Sequence, residues 1–82
     1  MIRYKTKGTC SSEIEIELNG DVIESVKFYG GCNGNLQGIS RLVKGMTAQQ
    51  AIERLEGIRC GFKATSCPDQ LAKALREATE NK

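Results

Sequence analysis

The stretch Glu13-Ile14-Glu15-Ile16-Glu17-Leu18 alternates strictly between acidic and apolar residues. A period of two predicts a half-buried strand, with Ile14, Ile16 and Leu18 inward and the three glutamates in water. Ile2 to Lys7 reads as a shorter strand with Ile2, Tyr4 and Thr6 on one face. Gly8-Thr9-Cys10-Ser11-Ser12 joins the two as a loop of turn formers. Asn19-Gly20 is a hairpin signal, and Asp21 to Tyr29 forms the return strand. Two registers compete there. A two-residue turn pairs Leu18 with Asp21, whereas a three-residue turn pairs Leu18 with Val22, Ile14 with Val26 and Glu13 with Lys27. The second keeps the apolar sets on one face and is the expected one.

After Gly30-Gly31-Cys32-Asn33-Gly34-Asn35 the period changes. Leu36, Ile39, Leu42 and Val43 recur at helical spacing, and Gly45 suits the position just past a helix end. Thr47-x-x-Gln50 is a capping box, with Met46 and Ala51 placed to form a hydrophobic staple. Ala48, Ala51, Ile52 and Leu55 give the buried face of this second helix, and Gly57 ends it. A connector over 58–64 leads to Ser66-Cys67-Pro68-Asp69, where proline and an acidic residue mark a helix start. Leu71, Leu75 and Ala78 form the last apolar stripe, and Glu80-Asn81-Lys82 is expected to fray. Three strands followed by three helices predict an α+β fold, a three-stranded antiparallel sheet with the helices packed on one face.

Composition bounds the function. The chain has 82 residues, 39% hydrophobic and 27% charged, which is the mix of one small globular domain over residues 1–82. A domain of this size buries only about 60% of its unfolded surface, so a staple would help it. No window approaches the roughly 18 apolar residues of a membrane span. The first residues alternate apolar and basic without an apolar run, so no signal peptide is expected and the reducing cytoplasm is the expected compartment. The absence of histidine excludes a Ser-His-Asp triad, a Cys-His dyad and a Cys₂His₂ zinc site. No catalytic residue is assigned. A net charge of +2, with Arg41, Lys44, Arg54, Arg59 and Lys63 interleaved with acids, argues against nucleic-acid binding.

The chemistry therefore rests on Cys10, Cys32, Cys60 and Cys67. No pair has C-x-x-C spacing. Topology says more: Cys10 precedes the second strand and Cys32 follows the antiparallel third, so both belong to one end of the sheet. Cys60 and Cys67 lie in the loop feeding the last helix. Cys32 and Cys67 also sit at expected helix N-termini, where the dipole favours thiolate. One convergent metal site is the reading, and four small buried thiols is its plain alternative. The loop Gly30, Gly31, Asn33, Gly34 and Asn35, together with Ser66 and Asp69, can present N–H groups to an anion such as a nucleotide phosphate or to cysteine sulfurs. The loop is neither a Walker A sequence nor a G-x-G-x-x-G fingerprint, and a tight turn explains its glycines more simply.

Thr65-Ser66-Cys67-Pro68-Asp69 resembles the signature of the TSCPD domain family. Gly8-Thr9-Cys10-Ser11, Phe28-x-Gly30-Gly31-Cys32-x-Gly34-Asn35, Gly57-Ile58-x-Cys60-Gly61 and Gln70-Leu71-Ala72 also look like its blocks. The resemblance implies a small α+β domain, stand-alone or at the C-terminal end of some ribonucleotide reductases. A reductase barrel and its radical cysteines do not fit in 82 residues, so an accessory or regulatory part is implied, not the catalyst. A more distant resemblance is to U-type iron–sulfur cluster scaffold proteins, with Cys10, Cys32 and Cys67 matching their ligand positions. Ser12 and Ser66 stand where that family has Asp and His, and Cys60 could supply the missing ligand. The expectations are zinc on the four cysteines, with a ribonucleotide reductase or other redox enzyme as partner. The alternatives are an iron–sulfur carrier, a dithiol redox relay to a reductase and an interaction module with core thiols.

Overall fold

A computed structural model describes residues 2–9, 11–31 and 33–80 of the chain. The elements run β1 (Ile2–Lys5), β2 (Ser11–Asn19), β3 (Val22–Gly30), α1 (Asn33–Val43), α2 (Ala48–Leu55) and α3 (Cys67–Glu80). The strands form one antiparallel sheet in the order β1-β2-β3, and the expected α+β layout holds. Ile14 and Ile16 of β2 and Ile23 and Val26 of β3 pack with Val43, Ala51, Ile52, Leu71 and Leu75 of the helices. Each fully buried Ile or Leu contributes roughly 1.5–3 kcal/mol relative to exposure. The outer face of the sheet is polar, where Arg3 pairs with Glu15 at 2.9 Å and Glu13 at 3.5 Å.

β1 ends at Lys5 rather than Lys7. The reason is a long-range pull: the Lys7 N–H donates to Gln70 Oε1 of α3 at 3.1 Å, so the chain leaves the sheet.

The hairpin register differs from the one expected. Asn19 faces Val22, Leu18 faces Ile23, Ile16 faces Val26 and Ile14 faces Phe28. The turn is therefore Gly20-Asp21, with Gly20 alone at positive φ (+64°), as a primed turn with glycine first requires. A bulge at Glu24 shifts the parity once, which lets Ile23 and Val26, three residues apart, share the buried face. Val22 is instead left at the rim, 37% exposed and bridged to Thr47.

The capping box on α2 forms as expected, with the Gln50 N–H donating to Thr47 Oγ1 and the Thr47 N–H to Gln50 Oε1, both at 3.1 Å. Leu42 does not join the core and is 77% exposed. It precedes Val43 by one residue and is turned about 100° away from the stripe of Leu36, Ile39 and Val43. Glu80 is still helical, whereas Asn81 and Lys82 lie outside the described residues.

Candidate functional site

α3 begins inside a buried polar network. Ser66 caps it: its Oγ accepts the Asp69 N–H at 3.1 Å and donates to the Ile58 carbonyl at 2.7 Å. The Asp69 carboxylate accepts the Gly57 N–H at 2.8 Å and the Thr65 hydroxyl, and Lys73 Nζ lies 3.6 Å away. Thr65 Oγ1 in turn accepts Gln70 Nε2 at 3.0 Å, and Gln70 holds Lys7. Thr65, Ser66, Asp69 and Gln70 are all buried, and every buried side-chain polar atom among the described residues has a partner. Such a network fixes one geometry because each missing partner would leave a desolvated group behind.

The network latches three distant stretches together. Gly57 and Ile58 are held by Asp69 and Ser66, Lys7 by Gln70, and Ser11 by Cys67. Gly8 explains why this approach needs glycine: its φ is +74°, and a Cβ there would stand 3.3 Å from Thr65 Cγ2. Three of the sequence blocks therefore meet in space around the Thr65–Asp69 segment. Thr65 and Gln70 carry this latch, and sequence reasoning missed both. Gln70 reaches Lys7, 63 residues away, which no local spacing reveals, whereas Thr65 bonds within five residues, to Asp69 and Gln70.

Burial is the largest influence on the Asp69 carboxyl and opposes its ionisation. The Thr65 hydroxyl, the Gly57 N–H and Lys73 together outweigh it and hold the group below the ordinary carboxylate range. A carboxyl lowered in the folded state stabilises the fold fully above its unfolded pKa, near 4, and loses that contribution as pH falls through the folded value. The thermal midpoint is expected to fall below about pH 4, and less steeply in Asp69→Asn. Circular-dichroism melts across that range check this, and equal slopes would contradict it.

Cys67 is the first residue of α3 and is buried. Its Sγ lies 3.2 Å from Ser11 Oγ, and either atom can donate. It also lines a groove of about 480 Å³ with Cys60, Ser66, Gly34, Asn35 and Leu42. Cys60 is exposed, in the turn closed by the Lys63 N–H on its carbonyl at 3.0 Å. The structure thus brings Cys60 and Cys67 to one groove, beside the first turn of α1. Cys10 and Cys32 lie outside the described residues. Their neighbours in the chain border the same region: Ser11 contacts Cys67, and Gly34 and Asn35 face the groove. Among the described residues, no three His, Cys, Asp or Glu side chains are gathered as for a metal ion.

The residues read together as an anion loop divide in space. Gly30 and Gly31, at φ +78° and +80°, line a different groove between β3 and α1. Asn33 opens α1, Gly34, Asn35 and Ser66 border the cysteine groove, and Asp69 is turned into the latch.

A family model described as TSCPD domain matches residues 2–79. The chain belongs to the TSCPD domain family. Nothing matches it among the curated proteins or among the solved structures. Within this TSCPD domain the signature divides by role. Thr65, Ser66 and Asp69 are spent on the latch, and Pro68 fits the first helical turn. Cys67 is the signature residue whose side chain borders the groove with a reactive atom. No helix among the described residues is long and apolar enough to cross a membrane.

Proposed function

We propose that this TSCPD domain is an accessory module of ribonucleotide reduction in the cytoplasm, and that Cys10, Cys32, Cys60 and Cys67 hold one zinc ion. The carrying observation is that Cys60 and Cys67 share one groove, which Gly34, two residues past Cys32, also borders, while Ser11, next to Cys10, contacts the Cys67 sulfur. Four thiolates and no histidine suit a closed, structural zinc site. Such a set leaves no open position for a bound water, which agrees with an accessory part rather than a catalyst. In this reading the Ser11 hydroxyl donates to the Cys67 sulfur and the first turn of α3 favours its thiolate. When bound, zinc would tie the β1–β2 loop, the start of α1 and the start of α3 to one point.

Thiol reactivity tests the ligand set. With zinc bound, alkylation of all four cysteines is expected to be slow, and Cys67→Ser or Cys60→Ser should release the metal and make the remaining thiols react freely. Rapid alkylation of exposed Cys60 in the metal-loaded chain, without metal loss, would exclude it from the site. For the partner, the loaded chain added to a purified ribonucleotide reductase should change its turnover, and the Cys67→Ser chain should not.

A further inference from the structure

β3 is an edge of the sheet, and its outer side is engaged only at its start among the described residues. There the Ile23 N–H donates to the Met46 carbonyl and the Gly45 N–H to the Ile23 carbonyl, both at 2.8 Å. Beyond the bulge, Ser25 to Phe28 runs along an open groove of about 540 Å³. The opposite wall is the face of α1 that carries Gln37 and Arg41, continued by Lys44 just past the helix end. Val26 and Leu36 supply apolar floor, and the left-handed pair Gly30-Gly31 closes one end.

The charge of this groove is one-sided. Lys27, Arg41 and Lys44 line it and no carboxylate does. Among the described residues none of the three takes part in an ion pair, and the Lys27 ammonium rests 5.2 Å from the Tyr29 ring centre. An open strand edge presents alternate N–H and C=O pairs that a further strand can accept. A helix beside such an edge supplies side-chain contacts to alternate residues of the added strand, which is the geometry of β-augmentation. A second copy of this chain fits poorly, because β3 would meet its own cations and the other edge, β1, carries Arg3 and Lys5. Like charges set directly opposite one another destabilise a strand pair.

We propose that the β3–α1 groove accepts an extended acidic segment of a partner protein as a fourth strand. The backbone of Ser25 to Phe28 pairs with it, and its carboxylates meet Arg41 and Lys44. This surface is a different groove from that of the cysteines, the two meeting at Leu36.

The test uses the full ¹⁵N-labelled chain and a capped peptide alternating glutamate and valine. Two comparison probes are the same peptide with its valines replaced by proline, and inorganic pyrophosphate. Millimolar alternating peptide is expected to shift the amides of Ser25 to Phe28 and of the α1 face, and to slow amide exchange at alternate residues of that stretch. The double variant Arg41→Glu with Lys44→Glu should weaken binding about tenfold or more. Its circular-dichroism melt should match that of the parent, since both side chains are exposed. Absence of shifts at millimolar peptide would overturn the proposal. So would equal effects from the proline peptide or pyrophosphate, which would leave a site for anions alone, and so would undiminished binding by the double variant.

Discussion

Asp69→Ala is expected to destabilise the chain by about 3 kcal/mol. Asp69 is only 4% exposed, and Thr65, whose hydroxyl it accepts, is buried as well, whereas Gly57 is exposed. The Gly57 N–H and the Thr65 hydroxyl each lose an acceptor, and Ser66 alone then anchors 57–58 to α3. For a domain of this size the thermal midpoint should fall by roughly 12–24 °C. Asp69→Asn keeps the volume and one acceptor oxygen for Gly57, so its cost should be smaller, on the order of 1 kcal/mol. Calorimetry or circular-dichroism melts at neutral pH decide between these values. Equal, small effects of both substitutions would mean that the network is not a structural latch.

On the proposed zinc site, removing the metal is expected to have an effect at least as large. The apparent binding energy of a structural zinc is of order 10 kcal/mol at neutral pH, and whatever part of it is absent in the unfolded chain is folding energy. A strong chelator under reducing conditions should therefore lower the thermal midpoint by at least about 15 °C. The loss should be centred on the β1–β2 loop, the turn around Cys60 and the starts of α1 and α3. The hairpin and α2 have their own support in the core of Ile14, Ile16, Ile23 and Ile52 and should open last. Zinc added back should restore the midpoint. The Cys67→Ser chain should already melt at the chelated value and ignore the chelator. A midpoint indifferent to chelation in the parent chain would contradict a structural metal.

The parts of this fold that were legible in the sequence are those set by local rules. The alternation from Glu13 to Leu18 marks a strand whose inner face really is buried, and Thr47-x-x-Gln50 marks a helix start that forms with both reciprocal hydrogen bonds. The register of the hairpin was not legible, because Val22 and Ile23 are adjacent and equally apolar. Only the Glu24 bulge and the contact of Ile23 with Gly45 and Met46 decide which of them turns inward. Leu42 fits the helical spacing loosely, and the tighter stripe of Leu36, Ile39 and Val43 excludes it. At the candidate site the cysteines were visible as residues, and of the four the structure describes Cys60 and Cys67, which share one groove. The latch was not visible, because Thr65, Asp69 and Gln70 gain their meaning from Lys7, Gly8 and Gly57, which only the folded chain brings near.

The central claim, one zinc on Cys10, Cys32, Cys60 and Cys67, is tested most directly by metal and acid-labile sulfide content per chain. The sample is purified without oxygen and its visible spectrum is recorded. The account predicts one zinc per chain, no sulfide and no visible absorbance. Iron with sulfide and a brown colour would contradict it in favour of an iron–sulfur carrier. A metal-free chain whose four thiols titrate freely would contradict any metal site at these cysteines.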